Sequence, residues 1–78
     1  MRLISQAGDI DIPYENTVLS VAGNLIFAYV PIVGEKGTVI ASYSTKKKAE
    51  KVMGMLHNTY AEFTTANIVF QFPKDDEV

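Results

Sequence analysis

The 78-residue chain predicts an α+β fold. The expected architecture is an antiparallel β-sheet of about five or six strands, in the order β-β-β-β-β-α-β, with one amphipathic helix packed on one face. Three observations carry this. Residues 9–14 alternate apolar and polar. Apolar and β-branched runs at 17–22, 25–33 and 38–43 are separated by Gly23-Asn24 and by Gly34-Glu35-Lys36-Gly37. Ala49, Val52, Met53, Leu56, Tyr60 and Phe63 then recur at helical spacing.

Each element has its own signature. Leu3 and Ser5 alternate with Arg2, Ile4 and Gln6, as in a short strand. Gln6-Ala7-Gly8-Asp9 reads as a turn, with Gly8 free to take positive φ. In the next strand Ile10, Ile12 and Tyr14 share one face, while Asp9, Asp11 and Pro13 share the other. Pro13 cannot donate to a ladder, and outward carboxylates discourage stray pairing, so this strand belongs at an edge. Gly23-Asn24 between two apolar runs predicts a two-residue hairpin, with glycine first in a type II′ turn. Residues 17–43 therefore read as a three-stranded meander. Ser44 or Thr45 caps the helix, and Thr64-Thr65 ends it. Lys47, Glu50, Gly54, His57 and Asn58 lie on its solvent side. Ile68, Phe70 and Phe72 share one face of a last strand that Pro73 stops. Residues 1–73 form one domain, and residues 74–78 a charged, disordered tail.

Size and composition limit the function. A chain this short buries only about 60% of its unfolded surface, so its core is marginal and calls for a staple or a partner. There is no cysteine, which removes disulfides and thiolate zinc sites, and His57 is the only histidine. No metal or cofactor is expected from that donor set. The net charge of −2 gives no overall attraction to nucleic acid or anionic lipid. The stretch 16–34 carries no charge and is nearly long enough to span a bilayer. Gly23-Asn24, Ser20 and Pro31 interrupt it, so no membrane span is expected, and the N-terminal residues turn polar too early for a signal peptide. A cytoplasmic protein fits this pattern.

The candidate sites are few. In residues 25–33 both strand faces are apolar: Leu25, Phe27, Tyr29 and Val33 on one, Ile26, Ala28, Val30 and Ile32 on the other. Such a strand is normally covered on both sides, and one helix covers only one. Either the sheet curls into a partial barrel or a second protein covers the open face. The face of Ile26, Ala28, Val30 and Ile32 is the candidate interaction surface, and the simplest partner is a second copy of the chain. Lys46, Lys47, Lys48 and Lys51, with Glu50, make a local charge of +3 at the helix start. They form a candidate anion or nucleic-acid patch, with Tyr43 beside it as a candidate stacking platform. An opposite charge of −3 gathers from Glu62, Lys74, Asp75, Asp76 and Glu77. His57 lacks an assignable orienting partner, so it is read as a solvated surface residue rather than a general base. Asp9 with Asp11, and the acidic tail, are read as solvated rather than cation-binding. Gly34-Glu35-Lys36-Gly37 lacks the spacing of a phosphate loop. No catalytic residue is expected.

Three segments carry a resemblance: 1–15 (MRLISQAGDIDIPYE), 41–60 (ASYSTKKKAEKVMGMLHNTY) and 70–78 (FQFPKDDEV). They resemble small uncharacterised proteins of phages and integrated mobile elements of Gram-positive bacteria. Those proteins often carry acidic residues where this chain has Lys46, Lys47 and Lys48. The resemblance implies a cytoplasmic accessory protein of a mobile element and transfers no functional residue. The expectation is thus a non-enzymatic, self-associating interaction module. The alternative is a nucleic-acid-binding accessory protein that uses the lysines.

Overall fold

The structure, a computed structural model, describes residues 1–29, 37–62 and 68–78. Val30, Ile32, the 34–36 part of the polar break and the Thr64-Thr65 helix end lie outside the described residues. The elements run β1 (Arg2–Ile4), β2 (Asp11–Pro13), a 3-10 turn (Tyr14–Asn16), β3 (Val18–Ala22) and β4 (Leu25–Tyr29). They continue with β5 (Thr38–Ser42), α1 (Lys46–Glu62), β6 (Val69–Gln71) and a second 3-10 turn (Asp75–Glu77). The class is α+β, with one α-helix among the described residues.

The expectation of a single antiparallel sheet needs correction. Among the described residues the strands divide into two sheets of three, ordered β2-β1-β6 and β3-β4-β5. The reason is that β1 has no free edge. Leu3 faces Ile12 of antiparallel β2 on one side and Phe70 of parallel β6 on the other. The chain also turns away before β3 begins. The Thr17 hydroxyl donates to the Pro13 carbonyl, and the Thr17 N–H donates to the Tyr14 carbonyl. The parallel pairing arises because β6 returns after the meander and helix rather than from a tight turn, which would force antiparallel pairing.

The strand expected over 9–14 shortens to Asp11–Pro13. Asp9 belongs instead to a turn organised by Ser5, which is buried. The Ser5 hydroxyl donates to Asp9 Oδ1 at 2.8 Å and accepts from the backbone N–H groups of Asp9 and Ile10. Gly8 completes that turn at φ 81°.

The meander forms as expected. Ala22 and Leu25 flank the Gly23-Asn24 turn, and Gly23 sits at φ 61° while among the described residues no non-glycine residue has positive φ. Positive φ at the first turn residue alone is the type II′ signature. The β4–β5 pair slips by one residue between Ile26 and Phe27. That bulge turns both Ile40 and Ala41 into the core, where strict alternation would bury only one.

Thr45 caps α1 by accepting from the Lys48 N–H at 3.2 Å. Ala49, Val52 and Leu56 bury one helix face against the core, and Gly54 faces open space. Leu3, Ile26, Val52, Leu56 and Phe72 form the fully buried centre. Phe70 and Phe72 meet edge-on, with centroids 5.3 Å apart.

The tail at 74–78, expected to be disordered, folds back on the helix start. Asp75 accepts from the Ser44 N–H at 2.7 Å, and Lys48 Nζ donates to the Asp75 carbonyl at 2.9 Å. Lys74 N–H donates to Glu77 Oε1. Gln6 ties the two sheets together. Its N–H donates to the Ile40 carbonyl, its Oε1 accepts from the Ser42 N–H, and its Nε2 donates to the Pro73 carbonyl.

Candidate interaction surface

The register of the β3-β4-β5 sheet sorts its side chains. Val18 faces Tyr29, Ser20 faces Phe27 and Ala22 faces Leu25, while Phe27 and Leu25 in turn face Val39 and Ser42. These residues share the outer face. Val18 is 61% exposed and Val39 44%, and Ser20, Leu25, Phe27 and Tyr29 are half-buried. No charged residue stands among them.

The candidate face of Ile26, Ala28, Val30 and Ile32 must be corrected where it is described. Ile26 and Ala28 are buried on the helix side, and Val30 and Ile32 lie outside the described residues. Both faces of this strand are apolar, so its composition does not select the one α1 covers. A charge at Ile26 would enter the core rather than block a contact. The apolar set on the open side is Leu25, Phe27 and Tyr29.

The two edges of this sheet differ. Gln6 occupies the β5 edge through Ile40 and Ser42. On the β3 edge, no hydrogen-bond partner for Leu19 or Val21 is found among the described residues. Beside that edge lies an open groove of about 370 Å³ between β3, the 3-10 turn and α1. Leu19, Met53, Tyr14, Tyr60 and His57 contribute to its walls. Tyr14 and Tyr60 touch there, with centroids 4.7 Å apart and planes inclined at 44°. This contact was not legible in the sequence, because each tyrosine looks like an ordinary apolar-face residue of its own element.

The lysine cluster is divided. Lys46, Lys47 and Lys51 are exposed, but Lys48 is half-buried and holds Asp75, its Nζ 3.6 Å from the carboxylate. The Ser44 N–H, then Lys48, keeps the Asp75 carboxyl below its ordinary range. Tyr43 is not placed for base stacking. It is 2% exposed, and its hydroxyl donates to the Pro73 carbonyl at 2.7 Å. Burial, with Asp75 and Glu77 nearby, pushes its pKa up to about 12.

His57 is exposed on the groove rim. Glu15, also at the groove, is held below its ordinary pKa chiefly by its hydrogen bond with the Met1 amino group, 2.8 Å away. Asp9 is engaged by Ser5, and Asp11 accepts from Arg2 Nε at 2.8 Å. The two carboxylates therefore have separate partners and do not form a pair. Among the described residues, no group of three or more His, Asp or Glu side chains is arranged to hold a metal ion. No described helix is long and apolar enough to cross a membrane.

Comparison with models of known protein families, with curated proteins and with solved structures finds no match. The functional reading therefore rests on the surfaces just described.

Proposed function

We propose that this chain is a non-enzymatic protein-interaction module that associates with a second copy of itself through the β3-β4-β5 sheet. One observation carries the reading. The outer face of that sheet is apolar and uncharged over all three strands, with Val18 and Val39 standing out from it. Contiguous apolar surface on a small domain marks a place where another molecule docks. The small size of the chain supports the same reading, since its own core is limited. By the resemblance seen in its sequence, such a module would serve as a cytoplasmic accessory protein of a mobile element.

The test is the mass of the native chain by light scattering and sedimentation across the micromolar range. A dimer or larger species that dissociates on dilution is expected. A monomer at every concentration overturns the reading. Nucleic-acid binding through the lysines is the less favoured reading, because Lys48 is engaged by Asp75 and Tyr43 is buried.

A further inference from the structure

We propose that the docking element is the edge of β3, and that it pairs antiparallel with β3 of a second copy about a two-fold axis through Ser20. This inference rests on the self-association reading, and it places the contact at the edge of the sheet rather than on its outer face.

The backbone register supplies the first argument. Residues flanking a two-residue hairpin turn form a hydrogen-bonded pair, and bonded and non-bonded pairs then alternate along the ladder. Ala22, Ser20 and Val18 thus turn their N–H and C=O groups toward β4, given their partners Leu25, Phe27 and Tyr29. Leu19 and Val21 turn theirs away from it. The far side of β4 obeys the same alternation. The Tyr43 N–H donates to the Asn24 carbonyl, while the Ser42 N–H, opposite Leu25, points outward to Gln6. What fits a row of alternating outward donors and acceptors is another extended strand.

The second argument is the contrast of edges. Gln6 caps the outer edge of β5. Among the described residues no strand pairs with the β3 edge; Val18, Leu19, Ser20, Val21 and Ala22 include no charge and no proline, and the β3–β4 register is unbroken.

The third argument selects a second copy as the occupant. The outward groups at Leu19 and Val21 lie symmetrically about Ser20. With Ser20 facing Ser20, Leu19 bonds to the partner's Val21 and Val21 bonds to the partner's Leu19. On a two-fold axis every residue meets itself or its mirror, so a charged strand would repel its copy. This strand has no charge. The opposed pair at the axis is of the non-bonded type, in which Cα atoms approach to about 4.5 Å and side chains crowd most closely. Ser20, small and able to hydrogen-bond to its like, occupies that place.

The groove completes the fit. Strands about 4.8 Å apart put the two copies of β4 about 14 Å from each other. The helix packs on β4, so two helices would lie side by side on one sheet, wider apart than the 8–10 Å of close helix packing. Long side chains are needed across that gap. Met53 and Tyr60 flank the groove on this side, and Tyr60 is 44% exposed. Pairing also joins the two outer faces into one apolar surface.

The experiment uses the full chain, which has no native cysteine. Ser20→Cys should form an intermolecular disulfide under mild oxidation at least about tenfold faster than Val39→Cys, because the axial pair lies within disulfide range. Val21→Pro deletes an N–H that the β4 ladder does not use, so the fold should persist. It removes two of the intermolecular bonds and should raise the dimer dissociation constant at least about tenfold. Val39→Lys, two strands from the axis, should leave the dimer intact. If Ser20→Cys cross-links no faster than Val39→Cys and Val39→Lys abolishes the dimer, the docking runs through the sheet face: the edge proposal falls and the module reading stands. If the native chain is monomeric throughout and Ser20→Cys shows no excess cross-linking, both fall, and the edge is left to a strand of another protein.

Discussion

The two sheets share one core and finish their outer surfaces differently. The outer side of β2-β1-β6 carries Arg2, Asp11 and Gln71 beside Ile4, Pro13 and Val69, with the Arg2–Asp11 pair lying across it at 2.8 Å. The outer side of β3-β4-β5 carries Val18, Leu25, Phe27, Tyr29 and Val39 and no charge. Both are three strands wide, and both present their inner residues to the same cluster. The difference therefore does not come from the demands of the core. A sheet face that meets only water tolerates charge, and an antiparallel sheet normally alternates inward apolar with outward polar residues. The meander departs from that pattern, and edge pairing would join its outer face to that of a second copy.

The comparison can be broken or sharpened at several levels, beginning with the largest effect. If the sheets are one cooperative unit, Leu56→Ala in the shared core should cost about 3 kcal/mol and remove both sheets in a single transition. Denaturant unfolding followed by two probes, one on each sheet, checks this. Separate transitions would mean that the sheets fold independently and that their contrast is between two units.

Alkaline titration tests the junction between meander and tail. Tyr43 stays neutral in the folded state up to about 12, against an ordinary value of 10. The folded form thus holds its proton where the unfolded form loses it. The stabilisation is complete below about pH 10 and is lost as pH rises toward about 12, a fall of about 2–3 kcal/mol. Tyr43→Phe should flatten that fall while costing about 1 kcal/mol at neutral pH, because the Pro73 carbonyl keeps Gln6 Nε2 as a donor.

The turns give a smaller and more local comparison. Gly23 at φ 61° serves the meander, and Gly8 at φ 81° serves the other sheet. A Cβ would meet nothing within 4 Å at Gly23 and only the end of Gln71 at Gly8. Alanine at either site should therefore cost about 1–2 kcal/mol through backbone strain alone. Denaturant unfolding of the two variants checks this, and a clearly larger cost at one site would mean that more than strain is at stake in its turn.

The smallest stability effect is the most telling for function. Val39→Lys and Val69→Lys replace valines that are 44% and 58% exposed on the two outer faces. Each should change stability by no more than about 0.5 kcal/mol. Binding of an apolar dye should drop for Val39→Lys and stay level for Val69→Lys. Equal responses would erase the contrast between the faces.

Much of this was legible from the residues. The Gly23-Asn24 turn, the Thr45 cap, the Ala49-Val52-Leu56 stripe and the inward Phe70 and Phe72 each follow from local rules that tertiary context did not override. What was not legible depends on contacts distant in sequence. Nothing local marks β1 as bonded on both edges, so the division into two sheets stayed hidden. The β4–β5 bulge, which buries Ile40 beside Ala41, leaves no trace in a run that is apolar throughout. Ile26 and Ala28 were assigned to the open face because β4 is apolar on both sides, and only packing selects the side for α1. The tail looked free because its acidic residues suit water as well as they suit Ser44 and Lys48.

The parallel pairing of β1 with β6 has a consequence for biosynthesis. β1 leaves the ribosome ahead of the other strands, yet one of its edges waits for β6, which emerges after the meander and helix. Until then the Leu3 side of the first sheet lacks Phe70 and Phe72. The nascent domain carries an unfinished strand through most of its synthesis, when stray pairing is most damaging. Arg2 lies on that waiting strand, and a charged side chain on an unpaired strand discourages stray pairing.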